Sequence, residues 1–289
     1  MKIFFVLMTS SILYAQSSTE LYLFDFLSKN NKYVIANPVN ISKNPGYDNQ
    51  PSFTKNGRHV LFSSTRNNQT DILSYNIRTD KKKWLTKTEG GEYSPLQIGS
   101  SNSFSAIRLD PNGYQRLYKY SMYSKNSKEL VKDLKIGYHL WVGRNELVSF
   151  VLGDPVTLQH SNLKTGENKI LDINIGRAIH KLPKSGLVAY ISKKQKPWTV
   201  NTIDLENGSI KTMTSSLKGS EDFAVTKSGV LIMGRGSNLY SFDPKEQIGW
   251  VQIADLADYG LDEITRLAIS PKMDKICLLY TSPSPRDRG

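Results

Sequence analysis

Short runs in which apolar and polar residues alternate recur along the chain, separated by turns built on Gly, Asn, Asp and Ser. Asp71-Ile72-Leu73-Ser74-Tyr75-Asn76-Ile77, Arg116-Leu117-Tyr118-Lys119-Tyr120, Thr157-Leu158-Gln159-His160, Thr199-Val200-Asn201-Thr202-Ile203 and Asn238-Leu239-Tyr240-Ser241-Phe242 have the period of two and the β-branched and aromatic content of half-buried strands. Polar hairpins follow, clearest at Lys164-Thr165-Gly166-Glu167-Asn168 and Glu206-Asn207-Gly208-Ser209, and lead to further strands such as Lys83-Trp84-Leu85-Thr86. Abundant Tyr, Gly, Asn and Ser favour the same reading, an all-β chain.

The strands come in a larger repeat. Gln50-Pro51-Ser52-Phe53-Thr54-Lys55-Asn56-Gly57-Arg58-His59-Val60-Leu61-Phe62-Ser63 is a strand, a turn and a second apolar strand, and Asp222-Phe223-Ala224-Val225-Thr226-Lys227-Ser228-Gly229-Val230-Leu231 repeats it. The polar residue before each inner strand marks the register: Gln50, Ser94, His139, His180, Asp222 and Arg266, spaced by 44, 45, 41, 42 and 44 residues. Units of this length with four strands each are the signature of a β-propeller. Six units predict six blades. Residues 20–26 and 32–37 read as a third and fourth strand without a first or second, whereas the unit from Ile264 onward has the opposite deficit. The N-terminal pair is therefore expected to complete the last blade and close the ring, removing free sheet edges.

The two ends stand apart from this pattern. Residues 1–15 combine Lys2, a short apolar run and Ala15, the form of a cleaved secretory signal, too short and too interrupted to span a bilayer. A mature chain beginning near Gln16, without a membrane span and located in the periplasm or outside the cell, is expected. Cys277-Leu278-Leu279-Tyr280-Thr281-Ser282-Pro283-Ser284-Pro285-Arg286-Asp287 matches no repeat. It coincides at every position with the peptide encoded by a transposase adapter used in sequencing libraries. Residues 277–289 are accordingly read as an adapter-derived tail, residues 16–276 as the propeller, and the sixth blade as lacking most of its second strand. The lone Cys, at 277, leaves no disulfide framework and no thiolate zinc site.

The first full unit resembles the TolB-type propeller repeat. Its Pro51-Ser52-Phe53, Asn56-Gly57, Phe62-Ser63-Ser64-Thr65-Arg66, Asp71-Ile72 and Leu85-Thr86 follow that family's pattern, and the other units do so in part. The arrangement also resembles secreted propellers of Bacteroidetes-type bacteria. The resemblance implies a six-bladed propeller in the cell envelope. TolB itself carries an α/β domain ahead of its propeller, for which this chain has no room between signal and first strand. Similar repeats occur in the propeller half of prolyl-oligopeptidase-type enzymes and, in a seven-bladed form, in oligogalacturonate lyases that hold a metal.

Innermost strands line a propeller's channel, so the six marker residues should form a ring near one mouth, with Asn49, Tyr93, Tyr138, Glu221 and Thr265 beside them. Six chemically different polar side chains suit one asymmetric polar ligand. Hydration of a channel mouth would also make such positions polar. A sharper expectation makes His139, His180 and Asp222, with Glu221 or Gln50 nearby, a divalent-metal site able to activate water, since imidazole and carboxylate suit Zn, Mn or Fe. The other histidines, His59 and His160, read as scaffolding, as do Arg66 and Arg108, expected in blade-to-blade salt bridges or turn hydrogen bonds. Gly234-Arg235-Gly236 precedes a strand pattern and is a hairpin, not a phosphate loop. There is no Gly-x-Ser-x-Gly nucleophile elbow.

The net charge of +12 raises a nucleic-acid reading, but Lys81-Lys82-Lys83 and Lys193-Lys194-Gln195-Lys196 lie in separate hairpins without interleaved aromatics. The sequence thus predicts a monomeric ligand-binding or interaction module, partnered by a small polar ligand or a cell-envelope protein, that requires no cofactor. The alternatives are a metal-dependent lyase or hydrolase acting on a carbohydrate or small ester, and one domain of a longer envelope protein or peptidase.

Overall fold

Each sequence unit folds into one antiparallel four-stranded sheet, and six such sheets make up the computed structural model, which describes residues 19–29, 32–44, 46–124 and 126–281. The expected signal peptide, residues 1–15, lies outside the described residues. The chain opens with β1 (Thr19–Lys29) and β2 (Lys32–Asn40). Blade one follows as β3 (Asp48–Phe53), β4 (His59–Arg66), β5 (Gln69–Asn76) and β6 (Lys82–Trp84). Blade two is β7 (Gly91–Gln97), β8 (Ser103–Leu109), β9 (Gln115–Ser121) and β10 (Ser127–Val131); blade three is β11 (Ile136–Trp141), β12 (Glu146–Val151), β13 (Thr157–Asn162) and β14 (Asn168–Ile173). Blade four comprises β15 (Ile175–Lys181), β16 (Leu187–Ser192), β17 (Thr199–Asp204) and β18 (Ile210–Ser215), and blade five β19 (Phe223–Val225), β20 (Leu231–Arg235), β21 (Asn238–Phe242) and β22 (Val251–Asp255). The sixth blade runs β23 (Ile264–Ile269), β24 (Lys275–Thr281), β1, β2 from channel to rim.

Strand alternation builds the core. In β4, Val60 and Phe62 point toward the sixth blade and pack with Leu21, Leu23 and Leu279, whereas the intervening Leu61 joins Phe104, Ala106 and Tyr120 of blade two. Because successive side chains leave opposite faces of a sheet, every blade contributes to two junctions. The six hydrophobic clusters are six such junctions. Burying each large aliphatic or aromatic side chain contributes about 1.5–3 kcal/mol, so the ring is held by the clusters between its sheets.

The closing pair is where the sequence places it: β1 pairs with β24 from Thr19↔Thr281 to Asp25↔Lys275. The expected gap in the sixth blade, however, is filled. Residues 275–281 form its complete second strand, with Ile276, Leu278 and Tyr280 turned to the blade-five junction and Cys277 and Leu279 to the blade-one junction. The exclusion of residues 277–281 from the fold is therefore corrected. Their alternating apolar side chains satisfy both junctions at once, whatever the origin of the peptide.

Register in the inner strands is interrupted by a shift in five blades, between Asn49 and Ser52, Tyr93 and Leu96, Ile136 and Tyr138, Ile175 and Ile179, and Ile264 and Arg266. Such bulges bend a strand and re-aim its side chains. Here they sit at or next to the marker positions.

Candidate functional site

All six marker residues line one cavity of about 160 Å³ in the channel, together with Tyr138 and Arg177. Gln50 and Ser94 occupy equivalent bulge positions with φ of 57° and 52°, each followed by a proline, Pro51 or Pro95. Left-handed backbone at non-glycine residues costs on the order of 1–3 kcal/mol and clusters at functional sites. The Gln50 amide oxygen ties two blades together, accepting from Ser63 Oγ at 3.0 Å and from the Ser94 backbone N–H at 2.9 Å. Ser94 Oγ itself is buried and has no protein partner.

His139 is buried, with Nε2 2.7 Å from Ser105 Oγ, which also accepts from Trp141 Nε1 at 2.9 Å. Ser105 Oγ also donates to the Leu96 carbonyl at 3.2 Å, and His139 Nδ1 is buried without a hydrogen-bond partner. Burial holds His139 down to about 3. His180 packs its ring 4.8 Å from that of Phe223, and burial lowers it to about 4 against a weaker opposing hydrogen bond to the Phe223 backbone. Both imidazoles are thus neutral near pH 7.

A charged cluster occupies the other side of the channel. Asp222 Oδ2 lies 3.6 Å from both Arg177 Nε and Arg266 Nη1, and burial pushes the carboxyl up to about 6 although both guanidinium groups pull it down. Arg266 reaches across the ring to donate to the Tyr138 hydroxyl at 2.8 Å, and Arg177 donates to the Thr265 carbonyl at 2.8 Å. Glu221 accepts from the Arg177 backbone and pairs with Lys193 at 2.7 Å.

Not every expected residue faces this cavity. Tyr93 turns into the blade-two junction, its ring edge-on to Tyr47 at 6.3 Å. Glu221 and Thr265 line a second cavity of about 150 Å³ toward the opposite mouth, and Asn49 accepts from the Gln50 N–H. Arg177 was missed because it lies three residues before the marker His180, and only the bulge between Ile175 and Ile179 brings it into the channel.

The proposed metal set does not form. Among the described residues no three His, Cys, Asp or Glu side chains are grouped to hold one metal ion. His139 Nε2 is engaged by Ser105, and Asp222 is engaged by two arginines. The remaining assignments are structural. Arg66 pairs with Asp71 at 3.4 Å and stacks on Trp84, and Arg108 pairs with Asp110 at 2.6 Å over Tyr118. Both sets of contacts lie within a blade rather than between blades. His59 contacts Asn76 at 3.1 Å, and residues 231–242 form a hairpin through Gly236.

No protein-family model matches the chain, and no curated protein matches it in sequence. Solved structures do match its fold. A TolB-designated protein from Agrobacterium tumefaciens superposes with a TM-score of 0.71 at 12% identity, over 93% of this chain and 100% of that one. TolB from Acinetobacter baumannii gives 0.59 at 11% identity, over 92% of this chain and 64% of that chain. An oligogalacturonate lyase from Vibrio parahaemolyticus gives 0.58 at 10% identity, over 87% and 83%. The fold is that of the TolB-type propeller, and among the described residues no helix is long and apolar enough to cross a membrane.

Proposed function

We propose that this protein is a binding module whose channel cavity takes a small polar ligand. One observation carries the reading: two buried polar atoms without a hydrogen-bond partner, Ser94 Oγ and His139 Nδ1, belong to residues around this one cavity, where Arg177 Nε meets only Asp222 at 3.6 Å. Each such atom costs about 1–3 kcal/mol when left unpaired, and a ligand carboxylate or hydroxyl would offset that cost. The strained backbone at Gln50 and Ser94 points the same way. Because TolB-designated proteins and an oligogalacturonate lyase share this frame, the fold by itself does not assign the chemistry.

The test is calorimetric titration with small carboxylates and monosaccharides. At least one should bind saturably and weaken by about tenfold or more in Ser94→Ala and His139→Gln, the loss expected when a buried polar contact is removed. Absence of saturable binding across the panel, or full binding by both variants, would overturn the reading. We also propose that residues 1–15 are removed on export to the periplasm or beyond. Mass spectrometry of the exported chain should then show an N-terminus near Gln16, and an intact N-terminus would count against it.

A further inference from the structure

The chain's excess of positive charge is not spread evenly over the propeller. The inner hairpins, which join each innermost strand to the next, surround one mouth of the channel and comprise residues 54–58, 98–102, 142–145, 182–186, 226–230 and 270–274. They carry Lys55, Arg58, Arg144, Lys184, Lys227 and Lys272 against a single acid, Asp274, which is already bonded to Ser270 Oγ. All six cations are exposed, and none takes part in a salt bridge among the described residues. Blade-to-blade packing even brings them together: the Lys272 side chain comes within 3.7 Å of where a β-carbon on Gly57 would lie, between Lys55 and Arg58.

The strands carry 16 cations against 10 acids, but the other connections balance. The described outer hairpins on the same face hold four cations, Arg78, Lys81, Lys164 and Lys245, and five acids, Asp80, Glu167, Glu206, Asp243 and Glu246. Connections on the opposite face hold eight cations and nine acids. Among the connections, the cation excess is therefore confined to the hairpins around this mouth. A flat anionic membrane would meet the outer acids as well as the inner cations, so this pattern favours a ligand that enters the mouth.

A groove lies beneath part of the crown. About 750 Å³ in volume, it is lined by three of the inner hairpins and shares Leu96 and Leu140 with the channel cavity. Its apolar surface comes from Phe53, Leu96, Ile98, Leu140 and Trp141, its charges are Lys55, Lys119 and Arg144, and no acid lines it. Several of its main-chain donors are already engaged: Lys55 N–H by Gln97 Oε1 of the next blade, Ile98 N–H by Ser103 O, Ser101 N–H by Ile98 O, and Val142 and Gly143 N–H by Glu146 O. A peptide brings a donor and an acceptor with every residue and would find few partners there. A sugar ring instead presents flat C–H faces to apolar side chains and keeps its polar groups at its edge.

We propose that this mouth admits an acidic linear oligosaccharide, its carboxylates met by the hairpin cations and its ring faces laid on the groove between Phe53 and Trp141. The inference rests on the channel-binding reading above and names its ligand class and side of entry. Titration of the full chain with trimers of galacturonate, mannuronate and glucuronate, beside maltotriose and hexaglutamate, tests it. At least one uronate trimer should bind, more weakly at higher salt, and should lose about tenfold or more in Lys55→Glu/Arg144→Glu, a scale set by reversing two charges at a desolvated groove. Both substitutions are in exposed turns, so the melting temperature should hold. Failure of all uronate trimers, equal binding of maltotriose, tighter binding of hexaglutamate, or indifference to the charge reversal would each overturn the proposal. Ser94→Ala and His139→Gln separate the two readings. A uronate ligand lost in them but indifferent to charge reversal leaves the channel site standing and removes the crown, and the opposite pattern removes the channel site.

Discussion

At the scale of single residues, the channel is a place where burial governs protonation. His139 and His180, held to about 3 and about 4, stay neutral in the folded protein at pH values where unfolded-chain histidines, near 6.5, take up protons. The stability they support is present above pH 6.5 and lost as pH falls from there toward 4. Asp222, raised to about 6, works in the opposite sense: its contribution is whole below its ordinary 3.8 and is lost as pH rises through 6. Asp48 and Glu92, raised by burial to about 6 and about 8, act in the same sense as Asp222, and each unit of displacement corresponds to about 1.4 kcal/mol. The histidine share is read by difference: between about pH 7 and pH 5 the urea midpoint of His139→Gln/His180→Gln should rise relative to that of the unsubstituted protein. A difference that stays constant across this range would exclude the histidine contribution. Their identity and ring position were legible in the sequence from the repeat spacing. Their failure to form a metal set was not, because Ser105 and the two arginines that engage His139 and Asp222 sit on other strands.

At the scale of elements, the inner-strand bulges decide which side chains meet in the channel, and close approach decides how neighbouring blades pack. Gly234 in β20 is an instance: a β-carbon there would lie 2.6 Å from Ile264 Cγ2 on the next blade. Gly234→Ala should therefore cost about 1–3 kcal/mol, the usual penalty of overpacking, read as a lower urea midpoint. Gly186→Ala, where a β-carbon meets nothing within 4 Å, should shift stability by less than about 0.5 kcal/mol. Equal effects at the two positions would show that blade contact is not the cause. Alternation and turn residues announced the strands well. The bulges carry no comparable local signal, which is why Arg177 was missed and Tyr93 was placed in the channel when it packs in a junction.

At the scale of the whole molecule, a ring closed by strands from the two ends of the described chain depends on β1 and β2 to cover β24. A variant lacking residues 19–40 should expose that strand's edge and self-associate. Light scattering after size exclusion would detect this, and a monodisperse monomer would show that closure does not protect the edge. The number of blades, the strand alternation, the closing pair and the six marker positions were legible in the amino-acid order, because each follows from a period of two or of about forty-three residues that side-chain burial imposes locally. The sequence also carried the excess of positive charge but not its location. That residues 277–281 complete the sixth blade, that Arg177 joins the cavity, and that six unpaired cations surround one mouth became visible once the blades were assembled into the ring. Those outcomes depend on which faces the ring brings together across blades, and no local pattern encodes that.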